Sequence, residues 1–452
     1  MTALNDGESS QPPPLVAACR PAPADELKHL AAALPAGELL LDHVDGSPRP
    51  VTCAIQDWAA WGLARLTGPA DGPAVAPAAP VAARVRALAA GITALLDPAP
   101  ERPEGHQQDP RRAWHRPGSP AATTIDPAQL LTGRSTLHGW TRAGQTSVNG
   151  SCRLLRAADG WLAVNLSRPS DVELLPALLQ AEFTGDPWDA LAAAARLRPA
   201  AELAARAQLL GTPAAVLGSD ADLAPLRWWL VGTPAPYLPD DPYRADVVLD
   251  LSAMWAGPLC AHLLGRAGAQ VVKVEDVHRP DGARFGPAEF YADLHAGHAS
   301  VVLDFAKDEG RAALHALAAE ADVVIESSRP RALQALGLEA DEWLAARPGR
   351  TWISITGYGR EDPADRVAFG DDAAVAGGLV AEAPDGTPVF CADAIADPLT
   401  GLYAALAGLT SRAAGGGHLL DVAMAGVAAD VGRQSDAPTR QHVVDAAGVH
   451  PC

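Results

Sequence analysis

The feature that most limits the possible folds of this 452-residue chain is a regular alternation of apolar runs and helical segments after residue 245. Five runs rich in Val, Ile and Leu occupy residues 245–252, 269–275, 299–305, 322–327 and 349–359. Helical segments at 256–268 and 308–321 separate some of them. Continuous apolar runs are typical of strands buried on both faces of a parallel sheet. The sequence therefore predicts an α/β fold, with a parallel Rossmann-like sheet and flanking helices.

Proline-rich and polar stretches divide the remainder of the chain. We expect a disordered tail over residues 1–25, linkers over 97–128 and 233–244, and a polar tail over 432–452. Three blocks remain, at 26–96, 129–231 and 245–431. The last block carries the predicted parallel sheet. The middle block, residues 129–231, is expected to form a smaller domain.

Composition limits the partners and the location of the protein. A net charge of -19 argues against nucleic acid or an anionic membrane surface as a partner, because both are negatively charged and bind basic protein surfaces. We expect no membrane span, because no uncharged apolar run reaches 18 residues, and no secretory signal at the N-terminus. The six cysteines form no C-x-x-C pair, and the histidine spacing suggests no zinc site. We therefore expect a reduced cytoplasmic protein without a bound metal.

A nicotinamide dinucleotide is the first ligand to consider for a sheet of this kind, which binds ligands at the carboxyl ends of its strands. The first strand–helix turn reads "DLSAMWAGPLCA" and lacks the G-x-G-x-x-G pattern. Glu275, at the end of the second predicted strand, could take the place of the ribose-binding acid. Without the glycines, nicotinamide binding is disfavoured.

A longer set of motifs points elsewhere. The segment "VVLDLSAMWAGPLCAHLLGRAGAQVVKVEDVHRPDGAR" resembles the opening of the class III CoA-transferase family, the CaiB/BaiF type. The resemblance continues, in the order of the family, through "SVVLDF", "ADVVIESSRP", "ALGL", "SITGYG", "PDGTP", "IADPLTGLYAALA" and "GGGHLLDVAM". It covers about 180 residues, and the eight pieces in sequence are far more specific than any one of them.

The resemblance implies both an activity and a nucleophile. Members of this family move coenzyme A between carboxylic acids through an aspartyl anhydride and an aspartyl-CoA thioester. The motif "IADPLTGL" identifies Asp397 as that aspartate. Locally, Asp397 precedes Pro398 at a predicted helix start, where an aspartate can also be a simple cap. The helix dipole is expected to keep Asp397 ionised. Asp393 has no family counterpart and is expected in a surface loop.

The resemblance also implies a binding site for the acyl group and for CoA. Gly377 and Gly378 match a glycine loop that offers backbone N–H groups to the acyl oxygen. The residues that match CoA-binding positions are Arg284, Ser327, Ser328, Arg329, His298, Ala256 and Gly257. "ESSRP" departs from the family's "ENFRP", and "HAGHAS" departs from "NRGKRS" by losing two basic residues. These departures weaken the expected affinity for CoA.

The N-terminal half resembles a rearranged and degenerate copy of the same family. When Asp71-Gly72 is aligned with Asp385-Gly386, Ala83 falls opposite Asp397, so residues 26–96 lack the nucleophile. Residues 146–218, with a strand–turn–strand–helix pattern around Asp159 and Gly160, resemble the small α+β domain of the family. In ordinary members that domain follows the nucleotide-like domain, whereas here it precedes it. We expect residues 26–231 to complete the cleft over 245–431. Trp58 and Trp61 stand at helical spacing and are expected in a core, or against an acyl chain.

The sequence thus predicts a cytoplasmic acyl-CoA:carboxylate CoA-transferase that forms a homodimer. Its ligands would be acyl-CoA and a carboxylic acid, with CoA as a substrate and no permanently bound cofactor. A racemase-like acyl-CoA enzyme on the same fold is one alternative, although Asp371 stands where racemases carry a histidine base. A non-catalytic homologue that binds CoA or a protein partner is the other.

Overall fold

The computed structural model describes residues 15–19, 28, 30–35, 54–96, 125–235, 245–362, 365–433, 440–445 and 448–451. Parts of the predicted tails at 1–25 and 432–452 lie outside these residues, as do parts of the predicted linkers at 97–128 and 233–244. The expectations for those parts, and the division into domains, stay predictions.

Helices dominate the described residues before the small sheet. After the short strand β1 (Leu15–Cys19) come helices α1 (Ala54–Ala60), α2 (Val81–Leu96) and α3 (Pro127–His138). Asp126 caps α3, because its side chain accepts a hydrogen bond from the backbone N–H of Ala128 at 2.9 Å. Trp58 in α1 is buried, and Trp61 packs against the same core from a partly buried position. The expectation of a core role for these tryptophans is confirmed.

A smaller α+β unit follows. Its strands are β2 (Cys152–Arg156), β3 (Trp161–Asn165) and β4 (Ala214–Val216), which form an antiparallel sheet in that order. Its helices are α4 (Pro169–Glu173), α5 (Leu175–Leu179), α6 (Pro187–Arg196) and α7 (Ala200–Leu209). Buried Leu and Ala side chains of these elements form a core of their own.

The strands between residues 226 and 423 are the seven of the main sheet and two short ones. They are β5 (Leu226–Leu230), β6 (Val247–Leu251), β7 (Gln270–Asp276), β8 (Ala299–Leu303), β9 (Val323–Glu326), β10 (Thr351–Thr356), the short β11 (Ala381–Glu382) and β12 (Pro388–Val389), and β13 (His418–Ala423). β11 and β12 pair only with each other. The other seven lie in the order β5-β13-β10-β9-β6-β7-β8, in which β5 is antiparallel to β13 and the rest are parallel.

The predicted α/β class is therefore confirmed. The six parallel strands, numbered by their order in the chain, lie in the Rossmann arrangement 3-2-1-4-5-6. All five predicted strands are present, within a few residues of their expected bounds. β13 and the antiparallel β5 extend the sheet beyond the five strands that the sequence predicted.

Helices cover this sheet. They are α8 (Ala256–Arg266), α9 (Ala288–Leu294), α10 (Asp308–Glu320), α11 (Pro330–Ala335), α12 (Ala340–Ala346), α13 (Gly370–Ala376), α14 (Ala396–Ala413) and α15 (Met424–Gly432). α14 is buried along nearly its whole length and packs against α2, α8 and α15. Gly401 lets α8 approach closely, since a Cβ there would lie 2.8 Å from the backbone oxygen of Ala256. No helix within the described ranges combines the length and apolar character that a membrane span requires.

A separate three-stranded sheet joins the two ends of the described chain. Strand β14 (Arg440–Asp445) pairs antiparallel with β1 and with β15 (Gly448–Pro451).

Candidate active site

The segment before α14 carries backbone strain. Ala392 and Ala394 have φ values of 59° and 42°, a left-handed conformation that residues other than glycine rarely adopt. Such strain persists only where the surroundings hold it in place. The N–H of Ala392 donates to Thr67 Oγ1 at 3.0 Å, and the N–H of Ala394 donates to Asp371 Oδ1 at 3.0 Å. Both halves of the chain therefore fix this loop, residues 391–395.

Asp397 lies inside the first turn of α14. The helix begins at Ala396, so Asp397 is its second residue and not the residue that caps it. The backbone N–H of Gly370 donates to the Asp397 carboxylate. A Cβ at Gly370 would lie 2.4 Å from Asp397 Oδ2, so only glycine allows this approach. Sequence reasoning missed Gly370; the available signal was a glycine directly before two aspartates at a helix start.

Asp393 is fully buried, and the expectation of a surface position is wrong. Arg134 of α3 holds it through two hydrogen bonds, with Nε 2.9 Å from Asp393 Oδ2. The guanidinium of Arg134 also lies 4.6 Å from the ring of Trp255. A carboxylate that pairs with arginine can be buried because the pair neutralises its charge. The partner is 259 residues away in the chain, so local sequence carried no sign of it.

Four aspartates surround this point, and burial raises the pKa of three of them. Burial raises the pKa of Asp397 to about 7, although Arg134 opposes the shift, and Asp393 adds to it. Burial likewise raises the pKa of Asp371 to about 7, and the nearby Asp393 carboxylate contributes. The pKa of Asp372 rises to about 8 because it is buried, despite the hydrogen bond from the N–H of Phe369.

The expectation that the helix start keeps Asp397 ionised is therefore wrong, because desolvation outweighs the Arg134 charge and the Gly370 hydrogen bond, which favour the carboxylate. Near neutral pH both protonation states of Asp397 are populated. Of the four carboxylates, only Asp397 is partly accessible; Asp371, Asp372 and Asp393 are buried. Asp397 is thus the member of the cluster that a ligand can reach.

Gly377 and Gly378 lie at the opposite end of α13 from Gly370. Their N–H groups donate to the backbone oxygens of Ala373 and Val375, at 3.1 and 3.0 Å. In this conformation neither amide is free for an acyl oxygen. Gly377 also packs tightly against α15, because a Cβ there would lie 2.5 Å from the oxygen of Ala425. A role in acyl binding stays a prediction for both glycines.

Four of the predicted CoA-binding residues meet at the carboxyl ends of β6 and β9, where the strand order reverses. Such a switch point opens a ligand crevice. Ser327 Oγ accepts a hydrogen bond from the N–H of Ala253 at 3.0 Å, just before α8 begins at Ala256. Gly257 must be glycine, since a Cβ would lie 2.1 Å from Ser252 Oγ. Ser328 Oγ is buried without a partner among the described residues, which leaves it available to a ligand.

The predicted basic residues are differently engaged. Arg284 pairs with Glu275, with Nη2 2.6 Å from Oε1, and lies over the ring of Tyr291. Although burial opposes the shift, hydrogen bonds from Arg284, the Asp281 N–H and Tyr291 lower the pKa of Glu275 to about 2. Glu275 is thus an internal partner of Arg284. Arg329 lies 3.7 Å from Asp365 in a looser, partly exposed ion pair.

His298 supplies little charge. Its Nδ1 lies 3.3 Å from Nδ1 of His295, and burial together with that neighbour lowers its pKa to about 4. At neutral pH His298 is therefore neutral, so it replaces neither lost basic residue as a cation. Lys273, which sequence reasoning did not assign, is buried beneath the crevice with Nζ 3.1 Å from Asp281 Oδ2. Within the described residues, no group of three or more His, Cys, Asp or Glu side chains is arranged to hold a metal ion.

Fold and site together define an α/β protein with a Rossmann strand order, a crevice at its switch point and an accessible aspartate at a helix start. Comparison with known protein families describes this class more closely. Residues 246–440 match the family model described as CoA-transferase family III. Over these residues, less than half of the chain, the protein is similar to the class III CoA-transferases.

Several curated proteins are similar to this part of the chain. Succinyl-CoA–D-citramalate CoA-transferase of Chloroflexus aurantiacus is 32% identical over 189 residues, 39% of this chain and 47% of that protein. Succinyl-CoA:glutarate CoA-transferase of Homo sapiens is 33% identical over 173 residues, 36% of this chain and 40% of that protein. The chain therefore spans less than half the length of these relatives. A CAIB/BAIF family protein from Brucella suis aligns at 27% identity with a TM-score of 0.40, over 45% of this chain and 64% of that structure.

Proposed function

We propose that this protein is an acyl-CoA:carboxylate CoA-transferase in which Asp397 is the nucleophile. The observation that carries the proposal is the position of Asp397. It is the partly accessible member of an otherwise buried carboxylate cluster, and it lies within the segment that matches CoA-transferase family III. A carboxylate can divide one difficult acyl transfer into easier steps. A raised pKa also makes Asp397 a stronger nucleophile once it is ionised.

The proposed reaction proceeds in four balanced steps. A carboxylate oxygen of Asp397 attacks the thioester carbonyl, the carbon–sulfur bond breaks, and CoA thiolate leaves a mixed anhydride. The thiolate then attacks the aspartyl carbonyl, which releases the donor acid as its carboxylate and forms an aspartyl-CoA thioester. The acceptor carboxylate attacks that thioester and gives a second anhydride with free thiolate. The thiolate finally attacks the acceptor acyl carbon, which releases the new acyl-CoA and regenerates the Asp397 carboxylate.

Surrounding groups support these steps. The Gly370 N–H donates to the Asp397 carboxylate and fixes its orientation. The buried rings of Trp255 and Phe290 lie 4.6 and 6.0 Å from the guanidinium carbon of Arg134, the partner of Asp393, and we expect them to limit access of water to a hydrolysable anhydride. The CoA moiety is assigned to the crevice lined by Ala256, Gly257 and the Ser327–Ser328 pair. We further place the enzyme in the cytoplasm as a homodimer.

Two alternatives to the CoA-transferase function can be compared with specific features of the site. A racemase-like enzyme needs a second base beside Asp397, and Asp371 occupies that sequence position. Asp371 is only 3% exposed and accepts a hydrogen bond from the N–H of Ala394, which disfavours contact with a substrate. A non-catalytic role is favoured by the neutral His298 and by the engagement of Arg284 with Glu275, because both weaken the expected binding of CoA as a substrate. Retention of an accessible Asp397 favours the enzyme.

The test is a transfer assay with succinyl-CoA as donor and glutarate or D-citramalate as acceptor, which are the acids in the names of the two relatives described above. Mass spectrometry of the CoA esters should reveal the acceptor ester only when donor and acceptor are both present. Hydroxylamine should trap the aspartyl thioester as a hydroxamate on the peptide that contains Asp397.

Asp397→Asn should abolish transfer and trapping while leaving the protein folded. Asp385→Asn is the matched control, because Asp385 is exposed in the turn between β11 and β12. Transfer that survives in Asp397→Asn contradicts the assignment of the nucleophile. Exchange of the α-proton without an acceptor acid would favour the racemase-like enzyme, and CoA binding without either reaction would favour the non-catalytic role.

A further inference from the structure

Arg134 connects the N-terminal half of the chain to the candidate nucleophile. It lies on α3 and its side chain is only 13% exposed. Two of its nitrogens bond the carboxylate of Asp393, which lies in the strained loop that leads into α14. The rings of Trp255, Trp140 and Phe290 lie 4.6, 5.5 and 6.0 Å from its guanidinium carbon. Aromatic faces on several sides hold a guanidinium in one place.

One cation thus serves a group of carboxylates. Both Asp371 and Asp397 interact electrostatically with Arg134, in addition to its direct partner Asp393. The other groups that interact with Asp397 are the Gly370 N–H and the Asp371 carboxylate from α13, and the Asp393 carboxylate from the loop. His138 lies near Arg134 on the same helix and stacks on Trp140 at 3.8 Å. In this low-dielectric setting, the ionisation of Asp397 depends on which of its charged neighbours are present.

Provided that Asp397 is the nucleophile proposed above, we propose that Arg134 is a positioning residue for the reaction. It acts through Asp393, which fixes the loop of residues 391–395, and through its charge, which favours the ionised form of Asp397. The N-terminal half thereby contributes to catalysis without touching the substrate. Nothing in the nucleophile motif itself indicates this dependence, because Asp393 and Arg134 are distant in sequence.

The arrangement of charges predicts in which direction each of two substitutions shifts the pKa of Asp397. Arg134→Gln removes the cation, so the remaining carboxylates repel one another and Asp397 ionises at higher pH. Asp393→Asn removes an anion and frees Arg134 to face Asp397, so Asp397 ionises at lower pH. An opposite charge within about 4 to 6 Å changes a carboxyl pKa by about 1 to 3 units. If Arg134 and Asp393 merely supported the fold, both substitutions would lower activity equally at every pH, and neither would shift the acidic limb of the pH profile.

The test measures the pH profile of kcat/KM for the full-length wild type, Arg134→Gln, Arg134→Lys and Asp393→Asn. We expect the acidic limb to move upward by about one unit or more in Arg134→Gln, with an activity loss of about tenfold or more at neutral pH that shrinks at high pH. Arg134→Lys, which keeps the charge but loses the two-pronged bond, should restore part of the shift. Asp393→Asn should move the limb downward.

Arg142→Gln is the matched control. Arg142 also belongs to the N-terminal half, but it donates to the backbone oxygens of Pro69 and Gly72 and faces no carboxylate of the site. Its loss should leave the position of the limb unchanged. Unaltered limbs in Arg134→Gln and Asp393→Asn, or shifts of the same sign, overturn the proposal. If Arg134→Gln does not fold, Arg134→Lys and Asp393→Asn still decide it.

A second readout separates this proposal from the proposed function. In protein labelled with 13C at the aspartate carboxyl carbon, Asp397→Asn identifies the Asp397 resonance, and its titration midpoint is measured in each variant without any substrate. If the midpoint shifts in opposite directions in Arg134→Gln and Asp393→Asn but the wild type transfers no CoA, the effect of Arg134 on Asp397 is supported and the proposed function is overturned. If the wild type transfers CoA but the midpoint is the same in all variants, the proposed function stands and the role of Arg134 is overturned.

Discussion

Replacing Gly370 by alanine adds one methyl group at the most crowded contact of the candidate nucleophile. The new Cβ would lie 2.4 Å from Asp397 Oδ2 and 2.4 Å from the backbone oxygen of Ala394. Atoms in van der Waals contact stay more than 3 Å apart, so one side must move by about 1 Å. The φ of Gly370 lies in an ordinary region, so the backbone itself accepts alanine.

The size of the effect follows from what can move. Ala394 belongs to the strained loop, and Asp397 is fixed by the first turn of α14. Forcing a methyl group into a packed site typically costs about 1 to 3 kcal/mol of stability. A displacement of about 1 Å at a reacting group can lower the rate by about a hundredfold. We therefore expect Gly370→Ala to lose far more kcat/KM than its change in stability alone would explain.

The assay is kcat/KM for CoA transfer, together with thermal unfolding of the same preparation. Gly160→Ala is the matched control, because its added Cβ meets nothing within 4 Å and its φ is also ordinary. We expect the control to match the wild type in both measurements. Wild-type turnover in Gly370→Ala would refute the reasoning that this glycine sets the position of Asp397.

Two further predictions follow from the same contacts. The folded state holds protons on Asp371, Asp372 and Asp397 at pH values where the unfolded chain has lost them, since their pKa values lie near 7, 8 and 7. Their contribution to the free energy of unfolding is therefore present below about pH 4 and declines as the pH rises through about 7 to 8. Asp372→Asn should flatten this decline in urea-unfolding measurements, and an unchanged slope would contradict the raised pKa of Asp372. Separately, CoA or acetyl-CoA at about 100 times its Kd should stabilise the fold by roughly 2.7 kcal/mol and raise Tm, whereas NAD should not; a Tm that responds to NAD alone would contradict the assignment of the crevice.

The parallel sheet could be predicted because its signal is local. Runs such as "DVVIES" are apolar on both faces and alternate with helices, so the class of fold follows without long-range information. The same holds for α14, whose Ala, Leu and Gly pattern marks a buried helix. Its start differs by about two residues from the expected position, which is the usual uncertainty of an element boundary.

The electrostatics of the site could not be predicted in the same way. Asp393 reads locally as a polar loop residue, and only its pairing with Arg134, 259 residues earlier, explains its burial. The pKa of Asp397 depends on how completely the surrounding helices exclude water, which a helix-start pattern does not reveal. The position of Glu275 suggested a ribose-binding acid, but its carboxylate already accepts hydrogen bonds from Arg284 and Tyr291.

The loop before Asp397 is held by partners from very distant parts of the chain. Thr67 contacts Ala392 across 325 residues, Arg134 contacts Asp393 across 259, and the oxygen of Gly144 accepts from the N–H of Phe390. Contacts between distant segments form late in folding, because closing such long loops costs entropy before the contacts can repay it. During synthesis the nucleophile leaves the ribosome long after the residues that orient it. Refolding experiments should therefore recover the helical signal before they recover turnover, so enzymatic activity would report the last step of folding.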